Sequence, residues 1–159
     1  MKYRNYERNY QSNSFNSKQT VRNNDSHSNT PDRKPHIKAS EYANYVDRAE
    51  AVIEYLMPHK KKITTSKIRN ILAMAADIYN DIKIDKSEII SEENRKRLEY
   101  LRVRMIYEAG RDSKGVKEFL KESDLCNELK KVNGKKTKYV DFYHYLEALV
   151  AFHKYNGGE

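Results

Sequence analysis

Residues 137–155 read TKYVDFYHYLEALVAFHKY, and this stretch decides the fold. Side chains three and four apart share one face of a helix. Here Val140, Phe142, Tyr143, Tyr145, Leu146, Leu149, Val150 and Phe152 cover most of the circumference, leaving a narrow polar stripe of Asp141, His144, Glu147 and Lys154. With Thr137 as cap and Gly157-Gly158 as stop, the pattern predicts a helix too apolar to be half-exposed. It should be central to a bundle or should meet a second protein chain.

The segments upstream supply the partners. Ser40 can cap a helix over Glu41–Met57 whose Tyr42, Tyr45, Val46, Ala49, Ile53 and Leu56 recur at three and four, with Pro58 at its end. Thr65 or Thr64 caps a second that runs to about Ile82, with Ile68, Ile71, Leu72, Ala75, Ile78 and Tyr79 inward. Ser91 with Glu92 and Glu93 starts a third, buried through Leu98, Leu101, Met105, Ile106 and Ala109 and stopped by Gly110. Ser113 or Asp112 begins a fourth with Val116, Phe119 and Leu120 inward, and Leu125–Val132 forms a fifth that Asn133-Gly134 cuts off. Only five Gly and three Pro occur in 159 residues, too few for a turn-rich β fold. The expected fold class is therefore all-α: a compact bundle of five or six helices over residues 39–159.

Residues 1–38 carry Asn, Ser, Arg and isolated tyrosines with no hydrophobic period, which predicts a disordered basic tail. They hold eight Lys/Arg against three Asp/Glu, leaving 23 against 20 in the domain, so much of the formal charge of +8 sits in the tail. A basic balance of this size favours a polyanionic partner, because Lys and Arg displace condensed counterions from phosphates. Cys126 stands alone and cannot form an internal disulfide, and no apolar leader follows the amino terminus. The chain is expected in the cytoplasm, without a membrane partner.

Several cations fall off the apolar stripes. Around Ile68, Lys67 lies toward solvent and Arg69 on the flank, so Lys67 is expected to be free to meet a phosphate. Around Leu101 and Met105, Arg102 and Arg104 occupy opposite flanks, where they can clamp a nucleic-acid backbone or pair with Glu99 and Glu108. Lys60, Lys61 and Lys62 precede the second helix, whose amino terminus also favours anions. Arg111 can fork onto phosphate or satisfy the last carbonyls of the third helix. For each of these residues the alternative is a solvated surface. Tyr3, Tyr6 and Tyr10 among Arg4 and Arg8 could stack on bases, or the tail could simply solubilise.

Catalytic patterns are weak. Asp141 and His144 share a helix side, but two ligands do not close a metal site. Asp77, Asp81 and Asp85 read as a solvated face, Cys126 as a buried inert thiol and His153 as a packed histidine. With neither a glycine-rich phosphate loop nor a nucleophile elbow, neither an enzyme nor a cofactor or metal is expected.

Four stretches carry a family resemblance: TTSKIRNIL at 64–72, YLRVRMIYEAGR at 100–111, FYHYLEALVAFHKY at 142–155, and Gly157-Gly158, with a weaker one in EYANYVD at 41–47. In order and spacing the chain resembles, over residues 40–158, the small-subunit family of type III-A (Csm) CRISPR RNA-guided effector complexes. The resemblance implies a helical-bundle, non-catalytic structural subunit. It further implies that several copies stack beside the backbone subunits and line the groove where guide and target RNA pair. It implies as partners guide and target RNA, the backbone and large polymerase-like subunits, and further copies of the chain itself. Carried over onto matching motifs, the RNA-binding expectations are Lys67, Arg69, Arg102, Arg104 and Arg111, with Lys60, Lys61 and Lys62 next to them. The competing reading is a helical protein-protein adaptor that uses the Tyr/Phe-rich last helix and whose charge is incidental.

Overall fold

A computed structural model of the chain describes residues 34–58 and 63–158. After one 3-10 turn at Ala39–Glu41, six helices follow: α1 Tyr45–Leu56, α2 Thr65–Ile84, α3 Glu92–Arg111, α4 Val116–Ser123, α5 Leu125–Lys131 and α6 Lys136–Tyr155. The all-α bundle is as expected, and no strand occurs among the described residues. Of the tail expected over residues 1–38, residues 1–33 lie outside those residues, as do the lysines at 60–62.

The apolar circumference of α6 is spent inside the molecule. Tyr139, Phe142, Tyr143, Tyr145, Leu146 and Leu149 are buried against α1, α2 and α5. Two tyrosines in this core keep their hydroxyls bonded: Tyr139 donates to the Ala75 carbonyl at 2.8 Å and Tyr145 to the Ser123 carbonyl at 3.0 Å. That is the requirement for burying a phenol, since an unpaired polar group in the core costs more than the ring's burial can spare. Desolvation pushes the Tyr143 hydroxyl up to about 12.

Element boundaries depart from expectation where two caps compete. The first helix starts at Tyr45 because Asn44 accepts from the amides of Val46 and Asp47, both at 2.9 Å, while Ser40 is taken up in the 3-10 turn. Tyr45 and Val46 consequently sit exposed in the first turn, not in the core. Gly110 does not stop α3, which continues to Arg111, and Ile106 lies on the solvent side. Thr137 is not the cap; α6 begins two residues earlier than that cap would set, at Lys136 after Lys135. Asn133 and Gly134 do end α5, in left-handed conformations of φ 45° and 73°.

Short polar ties lock the ends. Ile90 donates to the Gly134 carbonyl at 2.9 Å and Lys136 to the Glu88 carbonyl at 3.0 Å, joining the α2–α3 link to the α5–α6 turn. The fully buried carboxylate of Glu122 accepts the His36 amide at 2.7 Å and the His36 ring at 2.9 Å, which pins the residues before α1 onto α4. His153 is the packed histidine expected: its ring lies 3.0 Å from the Ile63 carbonyl, and burial holds its pKa below the usual range. Cys126 is half-buried, and desolvation pushes its thiol up.

Candidate nucleic-acid interface

Helix α3 supplies most of the candidate cations, and its register decides where they point. Leu98, Leu101 and Met105 face the core, which turns Tyr100, Val103, Ile106 and Tyr107 to solvent on the opposite side. The arginines then fall along the two borders of that face. Arg97, Arg104 and Arg111 are seven residues apart and follow one border, while Arg95 and Arg102 follow the other.

On the first border three of the expected residues come together. Arg104 and Arg111 both reach the Glu108 carboxylate, at 3.4 and 3.5 Å, and both guanidinium carbons lie over the Tyr107 ring, 5.4 and 5.6 Å from its centre. Lys67, from the first turn of α2, arrives beside them through a 2.6 Å ion pair with Asp112, the residue that ends α3. This corrects the expectation that Lys67 is free. Its side chain nevertheless remains 42% exposed, so its outer donors stay open to a second acceptor. Two guanidinium groups of α3 thus flank one tyrosine that is itself 53% exposed, and an ammonium group from α2 meets the end of the same helix.

Arg69 is exposed and has no ion-pair partner among the described residues. Arg102 takes the pairing alternative, 3.2 Å from Glu99, and lies across the helix from Arg104, beside α5. Lys60, Lys61 and Lys62 fall outside the described residues. The role of Tyr107 escaped the sequence reading, although its position midway between Arg104 and Arg111 was a usable signal.

The hydrogen bond from Lys67, outweighing burial, holds the Asp112 carboxyl below its ordinary value. A carboxylate depressed in this way adds stability that is fully present above the unfolded pKa and is lost as pH falls through the folded one. Lys67→Met is expected to lower stability by roughly 0.5–1 kcal/mol at pH 7, the scale of a half-exposed pair. Urea unfolding at a series of pH values should show that gap closing below the ordinary carboxylate range; a gap independent of pH would assign the loss to packing.

Among the described residues no group of three or more His, Cys, Asp or Glu could hold a metal ion, and no helix is long and apolar enough to cross a membrane. The model of the family "Csm2 Type III-A" matches residues 39–159. A "CRISPR system Cms protein Csm2" from Streptococcus thermophilus is 36% identical over 120 residues, covering 73% of this chain and 93% of that one. Its namesake from Enterococcus italicus is 36% identical over 95 residues, 58% and 67% of the two chains, and one from Mycobacterium tuberculosis is 29% identical over 115 residues, 70% and 90%. With its bundle domain matched from the first turn onward, the chain belongs to the Csm2 family of type III-A systems.

Proposed function

We propose that the chain is a non-catalytic, RNA-binding structural subunit of a type III-A CRISPR complex, several copies of which stack along the guide-target groove and contact RNA backbone. Its partners are then guide and target RNA, the other Csm subunits and further copies of itself, in the cytoplasm. The observation that carries this reading is the pair Arg104 and Arg111 over the exposed ring of Tyr107, with Lys67 held at the end of the same helix by Asp112. Guanidinium and ammonium groups contact phosphates without reading bases, and a neighbouring ring can stack on any base. Both properties suit a subunit that must accept every guide sequence. Arg69, Arg102, Lys60, Lys61 and Lys62 extend the contact surface in this proposal, and residues 39–159 form the working domain behind a basic tail.

Arg104 and Arg111 share one carboxylate, Glu108, at 3.4 and 3.5 Å, and both guanidinium groups are exposed enough to meet a phosphate as well. Arg104→Glu/Arg111→Glu should weaken binding of a fluorescein-labelled oligouridine at least 30-fold at low salt, measured by anisotropy on the full chain. The wild-type log affinity should fall with log salt by ~0.7 per neutralised phosphate. Unchanged affinity in the folded double variant would remove these residues from the site.

A second reading, a protein-protein adaptor, has its own observation. The Tyr/Phe-rich α6 is consumed by the core, so that reading moves to α3, where Tyr100, Val103, Ile106 and Tyr107 are each more than half exposed. Purification in an RNA-containing multi-protein particle favours the first reading; purification with one protein and no RNA favours the second.

A further inference from the structure

On the border of α3 away from Tyr107 lies a cleft of about 410 Å³, walled by α3 on one side and by α5 with the Asn133-Gly134 turn on the other. Ligand-sized clefts start at ~300 Å³. Arg95, Lys96 and Arg102 from α3 and Lys130 from α5 stand around it, against Glu92 and Glu99 alone. Among the described residues only Glu99 makes an ion pair with one of these four cations, at Arg102, so a positive surplus remains over the opening. Leu98, Leu129 and Val132 form an aliphatic floor.

The backbone is shaped to keep one of those cations in place. Arg95 donates from Nε to the Ile90 carbonyl at 3.2 Å, and its guanidinium lies directly against Gly134. A Cβ there would collide with that guanidinium, and φ of 73° already favours glycine. The turn thus supplies both the wall of the cleft and the space in which Arg95 rests.

We propose that this cleft is a second RNA contact: it takes the phosphate and ribose of one nucleotide of an RNA strand. The cations hold the phosphate, the aliphatic floor meets the ribose, and the base stays outside. Among the described residues no aromatic ring lines the cleft, so a base would find nothing there to stack on. The contact is therefore indifferent to sequence. It rests on the RNA-binding reading above and adds to it that the chain holds RNA on two opposite borders of α3.

Lys96→Glu/Lys130→Glu is the direct test, because both side chains are exposed and neither is tied to a distant part of the fold. On the full chain this pair should weaken oligouridine binding about 10-fold, with the melting temperature unchanged. Combined with Arg104→Glu/Arg111→Glu, the two losses should add in log affinity, as separate sites do. Crosslinks from a 4-thiouridine-labelled strand, mapped by mass spectrometry, should include peptides within 92–102 or 127–134. Titration of uridine monophosphate and of inorganic phosphate, followed at the Gly134 amide by NMR, separates the sources: saturation by the nucleotide and weaker binding of phosphate are expected. Equal binding of the two would overturn the ribose contact. Cleft-variant affinity within twofold of wild type, while the Arg104/Arg111 variant still loses binding, would overturn the second contact and leave the first standing. A wild-type chain that binds no RNA would overturn both.

Discussion

Leu146→Ala should lower the unfolding free energy by about 3–5 kcal/mol and the melting temperature by roughly 10–20 °C. Leu146 is fully buried near the middle of α6, the helix that packs on α1, α2 and α5. Truncation removes the transfer energy of three carbons and leaves a void that interlocked helices cannot close without losing contacts elsewhere. Leu146→Met, which conserves volume, should cost under ~1.5 kcal/mol, and Val103→Ala on the exposed side of α3 should stay within ~0.5 kcal/mol. Calorimetry of the three variants checks the order. Equal effects at positions 103 and 146 would mean that α6 is not central.

Arg48→Met should cost about 2–3 kcal/mol, a large effect for a residue type that belongs at the surface. Arg48 is only 7% exposed; it donates to Glu128 at 2.8 Å and to the Ser123 carbonyl at 3.1 Å, and its guanidinium lies 4.5 Å from the centre of the Tyr145 ring. The Nε atom is buried without a hydrogen-bond partner, so part of the desolvation cost is left uncompensated. The methionine variant keeps the packing volume and removes the charge, which leaves Glu128 half-buried with Lys131 alone, at 2.9 Å. The cost falls short of the ~3–5 kcal/mol of a fully orphaned ion because that lysine remains and Tyr145 still donates to Ser123. Removing Glu128 as well should return much of the loss, since a matched apolar pair avoids burying either charge.

Acid should narrow the same difference. Burial alone would raise the Glu128 carboxyl, but hydrogen bonds from Lys131 and Arg48 outweigh it and hold the group below its ordinary value. The associated stability is present above the unfolded carboxylate pKa and disappears as pH falls through the folded one. Wild type and Arg48→Met should therefore differ most near neutrality and converge in acid. A difference that persists unchanged at pH 3 would place the effect in packing over Tyr145.

The helices themselves were legible because periodicity is a local property. Leu98, Leu101 and Met105 mark the buried side of α3 without reference to any other residue, and they also place Arg102 and Arg104 on opposite borders. The apolar density of 137–155 left α6 either central to the bundle or against a second chain, and the packing on α1, α2 and α5 took the first. Boundaries were less legible where a second residue of capping chemistry stood nearby. Ser40 and Asn44 both carry a suitable oxygen, and the choice between them depends on how the chain enters the bundle at His36 and Glu122.

What the sequence by itself determined is the all-α character of the bundle, the positive balance of the chain and the side of a helix on which a cation lies; it left the count at five or six, and six form. Only the tertiary structure decided what those cations meet: that Lys67 reaches Asp112, 45 residues away, that Arg48 is drawn inside over Tyr145, and that Lys130 closes a cleft opposite Arg95. Spacing along one helix fixes direction around its axis, whereas the partner at the end of that direction comes from another helix, placed by the packing of the whole core.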